Sequence, residues 1–175
     1  MKHNILAVII FLLTACGSET NKKTGDGDNS VADTESFILH NIRFDAVDYY
    51  EAELVTVTAG TIFEVQWVTP TSAAYLIDFY LSTNGAEPSD GNKLGRLKCG
   101  NASFSLCPNA TAEVQCKVDD NSLSCFVGSD FVGSKDFQDK DLSSLKFIIK
   151  GCDALSNCDV KSFDLLVENS TDDKE

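Results

Sequence analysis

The sequence Thr-Ile-Phe-Glu-Val-Gln-Trp-Val at residues 61–68 alternates apolar and polar side chains, which is the pattern of a half-buried β-strand. Phe63, Val65 and Trp67 share one face of such a strand, and the glutamate and glutamine between them share the other. We therefore expect Trp67 to be a core residue and not an aromatic platform for a ligand. Ala-Gly at residues 59–60 predicts a turn before this strand.

Other short segments with the same period flank residues 61–68, and none shows a long run at helical spacing. The predicted strands lie at residues 37–42, 50–58, 61–68, 75–81, 93–99, 103–106, 112–118, 122–127, 145–150 and 160–167. Many short strands with frequent turn signals predict an all-β fold, in the form of an antiparallel sandwich. We expect one domain at residues 37–168 and an acidic tail at residues 169–175.

Six cysteines in this domain predict three disulfides, provided that the protein is exported. They are Cys99, Cys107, Cys116, Cys125, Cys152 and Cys158. A two-residue turn at residues 120–121 would place Cys116 directly opposite Cys125 on neighbouring strands, which predicts their pairing. Cys152 and Cys158 flank a short loop and are expected to pair, which leaves Cys99 for Cys107. Many connectivities are possible, and only Cys116–Cys125 has a geometric argument. The absence of any Cys-x-x-Cys pair argues against zinc.

The first sixteen residues have the composition of an export signal. Lys2 and His3 precede an unbroken apolar run at residues 5–13, which is too short to span a bilayer as a helix. Leu-Thr-Ala-Cys at residues 13–16 resembles the lipobox of bacterial lipoprotein precursors. That resemblance implies a signal peptide at residues 1–15, cleavage before Cys16 and a diacylglycerol on the Cys16 sulfur. The alternative is an ordinary secretory signal that happens to end in a cysteine.

Residues 16–36 form the predicted link between Cys16 and the domain. They are rich in Gly, Ser, Thr, Asn, Asp and Lys and have no apolar periodicity, so we expect a flexible tether. Gly17 follows the lipobox cysteine where proteobacterial lipoproteins retained in the inner membrane usually carry Asp. The resemblance therefore favours the outer membrane, with the domain facing either the periplasm or the cell surface.

A second resemblance concerns the fold. Phe-Tyr-Leu-Ser-Thr at residues 79–83 and Gly-Asn-Lys-Leu-Gly at residues 91–95 resemble the core of bacterial immunoglobulin-like domains of the cell-adhesion-related type. The resemblance implies an immunoglobulin-like β-sandwich, here stapled by disulfides.

No residue pattern marks a catalytic site. His40 is the only histidine beyond the predicted signal, and no nucleophile motif surrounds it. Asp78 is the most suggestive carboxylate for hydrolysis, but alternation between Ile77 and Phe79 predicts that it lies on the solvent face. We expect no catalytic residue, no metal and no cofactor.

The most unusual segment is residues 126–142, in which Phe-Val-Gly-Ser occurs twice. One interpretation is a loop pinned to the core by phenylalanines, with solvated aspartates between them. The other is a partner-binding loop, or a weak calcium site, with Phe131, Asp136, Phe137 and Asp139 as the candidate residues.

The charge balance of the chain disfavours some classes of partner. The chain has 14 Lys and Arg against 27 Asp and Glu, hence a net charge of −13. Such a balance disfavours nucleic acid and anionic lipid headgroups as partners. We expect an outer-membrane lipoprotein that displays a non-catalytic binding or structural module, contacting the membrane through its lipid and a protein or surface glycan through its domain. An envelope-assembly or inhibitor lipoprotein is the first alternative, and a carboxylate hydrolase is the second.

Overall fold

The computed structural model describes residues 36–69, 73–100, 111–138, 141–142 and 144–169. These residues belong to one compact unit, which spans Glu35–Glu175. They form β-strands joined by turns, with no α-helix. No helix in this part of the chain has the length and apolar character needed to cross a membrane. The predicted signal peptide and Cys16 lie outside the described residues, as does the predicted tether apart from Ser36.

Eleven strands make up the described structure. They are β1 (His40–Phe44), β2 (Val47–Asp48), β3 (Leu54–Thr58), β4 (Ile62–Val68), β5 (Tyr75–Ser82), β6 (Lys93–Cys99), β7 (Thr111–Asp119), β8 (Ser122–Val127), β9 (Asp130–Asp136), β10 (Leu145–Asp153) and β11 (Cys158–Glu168). All of them belong to one sheet, in the order β2-β1-β4-β7-β8-β9-β6-β5-β10-β11-β3. Neighbouring strands are antiparallel except β11 and β3, which are parallel. The all-β prediction is therefore confirmed, and the expectation of a wholly antiparallel arrangement is wrong at this one pair.

The sheet curls so that strands far apart in its order share one core. The ring of Phe44 on β1 lies 5.9 Å from that of Phe147 on β10 and 5.2 Å from that of Phe163 on β11. Trp67 on β4 is fully buried, and its ring centroid is 5.7 Å from that of Phe79 on β5. The prediction that Trp67 is a core residue is confirmed.

The connection between β9 and β6 is the thinnest in the sheet, because a single residue pair, Gly95 with Gly133, joins them. A Cβ atom on Gly133 would lie 2.0 Å from the carbonyl oxygen of Leu94. Only glycine allows the two backbones to approach this closely. We call this junction the glycine seam.

The first residues of the domain, Phe37 and Leu39, contact β5, β10 and β11, which are distant from β1 in the sheet order. The ring of Phe37 lies 5.5 Å from that of Tyr75, and a Cβ atom on Gly151 would lie 2.3 Å from the Phe37 ring. The Leu39 amide donates a 2.8 Å hydrogen bond to a carboxylate oxygen of Asp159 on β11. These contacts form what we call the entrance clamp.

The cysteine pairings follow the strand register. Val118 pairs with Leu123 and Cys116 with Cys125 across the turn at residues 120–121, as expected from the alternation. The structure contains the disulfides Cys116–Cys125, buried in the core, and Cys152–Cys158, between β10 and β11. Cys99 is also disulfide-bonded, but Cys107 lies outside the described residues, so Cys99–Cys107 stays a prediction.

Two other predicted strands have different outcomes. The strand expected at residues 50–58 begins only at Leu54, because residues 51–52 form a turn in which Ala52 has a φ of 66°. The strand expected at residues 103–106 lies outside the described residues.

Candidate functional site

The segment predicted as a loop at residues 126–142 is largely β-structure. β8 ends at Val127, residues 128–129 turn, and β9 runs over Asp130–Asp136. Phe126 of the first Phe-Val-Gly-Ser pairs with Phe131 of the second, whereas the Gly-Ser of the first copy forms the turn and the Gly-Ser of the second pairs with Cys125 and Ser124. The loop prediction is wrong because residues 130–136 find a partner in β8, so their backbone hydrogen bonds are made within the sheet.

The three candidate residues of this segment that the structure describes, Phe131, Asp136 and Phe137, do not form one site. Phe131 is 62% exposed, and its ring centroid lies 5.5 Å from that of Phe126. Phe137 is only 6% exposed and belongs to the core, while Asp136 is exposed at the end of β9. Asp139 lies outside the described residues. Among the residues that the structure describes, no cluster of three His, Cys, Asp or Glu side chains could hold a metal ion.

His40 and Asp78 were the sequence candidates for catalysis. His40 is exposed at the start of β1. Asp78 lies on the face of β5 opposite to the core, as alternation requires, but it is only 6% exposed. The expectation of a solvated Asp78 is wrong because long cationic side chains from β6 fold over it.

Asp78 is the centre of a closed ion cluster. The guanidinium of Arg96 donates two hydrogen bonds to its carboxylate, of 2.5 Å from Nε and 2.7 Å from Nη2. The Lys93 ammonium lies 2.8 Å from the same carboxylate. The hydroxyl of Tyr80 donates to the second oxygen over 3.2 Å. The carboxylate is therefore held by two cations and a phenol.

These contacts shift the pKa values of the cluster. Burial alone would raise the pKa of Asp78, but hydrogen bonds from Arg96 and Lys93, together with their charges, outweigh burial and lower the pKa from its ordinary 3.8. Burial, with the Asp78 charge beside it, raises the pKa of Tyr80 from 10.0 to about 12. The hydrogen bond to Asp78 also raises the pKa of Arg96. At neutral pH the cluster thus holds two cations and one anion.

The cluster is part of a larger surface, which we call the basic face. It is the side of β6, β5, β10 and β11 opposite to the core, since Leu97, Phe79, Phe147 and Phe163 fill the other side of these strands. Its cationic side chains are Lys93, Arg96, Lys98, Lys146 and Lys150. Its carboxylates on these strands are those of Asp78, Asp164 and Glu168.

The strand register places the cations in rows across the basic face. Asp78 pairs with Arg96 on one side and with Lys150 on the other. The next row contains Lys98, paired with Leu76. Lys146 forms an ion pair with Asp164, whereas Lys98 and Lys150 have no ion pair within the described part of the chain. The strands of this face therefore carry five cations against three carboxylates.

The outer side of β4, β7, β8 and β9 has the opposite charge. It carries the carboxylates of Glu64, Glu113, Asp119 and Asp136 against the ammonium of Lys117. The ammonium of Lys117 is already paired with Asp119 at 2.7 Å. Charge is thus segregated between two surfaces of the same domain.

The sequence carried a signal for the basic face that the net charge conceals. Residues 93–98 read Lys-Leu-Gly-Arg-Leu-Lys, in which every charged residue is a cation. In a chain of net charge −13, a strand whose polar positions are all basic is a local exception.

One end of the basic face is hollowed into a groove of about 310 Å³. Lys146, Ile148, Val160 and Ser162 line its floor, and residues 85–88 and Glu51 line its sides. Because Lys146 also belongs to the row of cations, the groove and the charged rows are continuous.

Neither a protein-family model nor a curated protein matches this chain. We therefore argue function from the charge and geometry of its surface.

Proposed function

We propose that this protein is a lipid-anchored module of the bacterial cell envelope that acts by binding a partner on its basic face. The lipobox resemblance at residues 13–16 supports the anchor, and the disulfides support an oxidising compartment outside the cytoplasm. In this proposal Cys16 carries the lipid, and the outer membrane is the location. The domain faces the periplasm or the cell surface.

We further propose that the curled sheet is an immunoglobulin-like sandwich. The glycine seam divides its order into β2-β1-β4-β7-β8-β9 and β6-β5-β10-β11-β3. Two groups of strands joined by one residue pair, with a shared core between them, have the connectivity that a two-layer sandwich needs. The finer classification adds nothing about the ligand.

The observation that carries the binding function is that the outer side of β6, β5, β10 and β11 carries five cations against three carboxylates in a protein with net charge −13. If charge served solubility alone, acidic residues would be expected here as elsewhere on the surface. A local field of opposite sign steers and holds a partner of complementary charge.

The mechanism is passive display. The acyl chains hold the module at the membrane, since two or three chains anchor stably where one does not. In this proposal the tether at residues 16–36 gives a typical reach of about 25 Å. Asp78 keeps Lys93 and Arg96 in fixed positions, so that the surface is ordered before the partner arrives.

Asp78 does not suit the hydrolase alternative. A general acid needs a carboxyl pKa raised toward neutrality, whereas the pKa of Asp78 is lowered by its cationic neighbours. Both of its oxygens already accept hydrogen bonds.

Binding is tested by site-specific photocrosslinking of the full-length protein in intact bacteria. A photoreactive residue at Lys98 reports on the basic face, and the same residue at Lys117 reports on the acidic side. We expect a crosslinked product from position 98 and none from position 117. No product from position 98, or an equal product from both positions, contradicts the proposed binding surface.

The anchor is tested separately by metabolic labelling with an alkyne-bearing palmitate. The wild-type protein should incorporate the label and enter the membrane fraction, and Cys16→Ser should do neither. Labelling that persists in Cys16→Ser would place the lipid elsewhere and refute the lipobox assignment.

A further inference from the structure

The spacing of the cations on the basic face selects for a ligand with several negative groups. Arg96 and Lys98 are two residues apart on one strand, and their Cα atoms are separated by about 7 Å. Lys150 lies two strands from Arg96, on the other side of Asp78, at about 10 Å. One small anion would satisfy only part of this array, whereas a chain with repeated negative groups can follow it.

The face lacks the apolar anchors of a protein interface. The large exposed hydrophobic side chains of the described residues are Ile38, Val47, Tyr50, Leu54, Ile62, Phe131 and Leu155. None of them lies on β6, β5, β10 or β11. Because protein partners derive most of their binding energy from buried aromatic and apolar side chains, a face on which Ile148 and Tyr80 are already covered and cations protrude favours a polyanion over a folded protein.

The backbone restricts where a peptide could bind as an added strand. β5 and β10 are paired on both sides over most of their length, so an added strand could pair only with β6 outside the glycine seam or with β11 before residue 164. A disordered acidic peptide would also lose much conformational entropy on a flat surface, and a stiffer sugar chain loses less.

We propose that the basic face binds an acidic polysaccharide, meaning a sugar chain that carries carboxylate or sulfate groups at regular intervals. This inference rests on the proposed binding function and names its partner class. Lys98 and Lys150 contact the anionic groups, because neither has an ion pair within the described part of the chain. Asp78 acts as a positioning residue that fixes Arg96 and Lys93 beside them.

The test measures binding of the full-length lipidated protein, in a neutral detergent at low salt, to alginate, to dextran sulfate and to neutral dextran. We expect saturable binding to alginate or dextran sulfate and none to dextran. Lys98→Glu with Lys150→Glu should weaken binding at least about tenfold, because reversal turns attraction into repulsion. Lys117→Glu makes the same kind of charge change on the acidic side and should leave the affinity within about twofold.

Salt dependence gives a second readout, which does not require charge reversal. Neutralising both positions, with Lys98→Gln and Lys150→Gln, should lower the slope of log K against log salt by about 1.4, at roughly 0.7 for each charge that contacts a flexible polyanion. Thermal unfolding of each variant checks that it is folded, and the glutamine pair replaces the glutamate pair if the latter unfolds.

The outcomes separate this inference from the proposed function. An absence of saturable binding to both acidic polysaccharides, or an equal loss in Lys117→Glu, overturns the inference. Tighter binding to poly-glutamate, with the same dependence on Lys98, also overturns it and indicates an acidic protein segment as the partner. In either case a crosslink from position 98 in cells would leave the proposed binding function standing, and its absence would remove both.

Discussion

Replacing Asp78 by asparagine should destabilise the domain by about 2–3 kcal/mol at pH 7. The change removes the charge that Arg96 and Lys93 share, at 2.5 Å and 2.8 Å, and leaves the Tyr80 hydroxyl beside an amide. Breaking a buried ion pair costs about 3–5 kcal/mol, but the Arg96 side chain is 47% exposed and can turn to water. We therefore expect a cost of about 2–3 kcal/mol, which is less than that of breaking a fully buried pair.

The matched control is Asp164→Asn. Asp164 pairs with Lys146 at 2.5 Å, but the two side chains are 45% and 34% exposed. An exposed pair of this kind contributes roughly 0–1 kcal/mol. Equilibrium unfolding in urea gives the free energy for each variant and shows, through its slope, whether unfolding remains comparable.

The pH dependence of the free energy of unfolding tests the direction of the Asp78 pKa shift. The folded pKa of Asp78 is lowered below its ordinary 3.8, so its contribution is present at pH values above about 4 and is lost as pH falls through the folded pKa. The difference between wild type and Asp78→Asn should therefore shrink at pH 2. The reasoning is refuted if Asp78→Asn costs no more than Asp164→Asn, or if the difference is the same at pH 2 and pH 7.

Three further predictions concern stability and titration. Replacing Cys116 and Cys125 by serine should cost about 2–3 kcal/mol from the lost loop constraint alone, measured by thermal unfolding, and a cost below about 1 kcal/mol would contradict it. Gly133→Ala should lower the melting temperature, because the added Cβ would lie 2.0 Å from the carbonyl oxygen of Leu94. Gly91→Ala is the control and should not lower it, because the nearest atom to its Cβ is 3.7 Å away. Equal melting temperatures for the two variants would contradict the close approach at the glycine seam. The pKa of Tyr80 is raised to about 12, so an ultraviolet titration of the folded protein should lose the phenol that ionises there in Tyr80→Phe.

Local patterns were sufficient wherever a strand had apolar residues at every second position. β8 begins and ends where alternation predicted, and the Cys116–Cys125 register follows from the turn between their strands. In these cases the residues that decide the structure are neighbours in sequence, so the information is present within a short window.

Pairing between distant segments was not readable from the sequence. β9 contains Gly133 and is mostly polar, so its own pattern does not indicate a strand. It is a strand because β8 and β6 both supply hydrogen-bonding partners. The parallel pairing of β3 with β11 is equally non-local, since residues 54–58 and 164–168 meet.

The sequence predicted one part of the candidate site correctly and missed another part for related reasons. Alternation correctly placed Asp78 opposite to the core, but it cannot show that Arg96 and Lys93 cover it. The exposed or buried state of Phe131 and Phe137 likewise depends on which strands flank them. Net charge averages over the whole surface, and so it concealed a basic face that appears only when four strands are placed side by side.

The entrance clamp determines where a mechanical load enters the domain. If Cys16 is lipid-anchored, any pull between the membrane and a bound partner travels along the chain to Phe37 and Leu39. Leu39 is hydrogen-bonded to Asp159 on β11, and Phe37 packs beside Tyr75 on β5. Both strands belong to the basic face, so, while these contacts hold, the force passes to the strands that hold the partner before it reaches β1, which lies across the glycine seam. The domain can thus bear tension without placing it on the thinnest junction of its sheet.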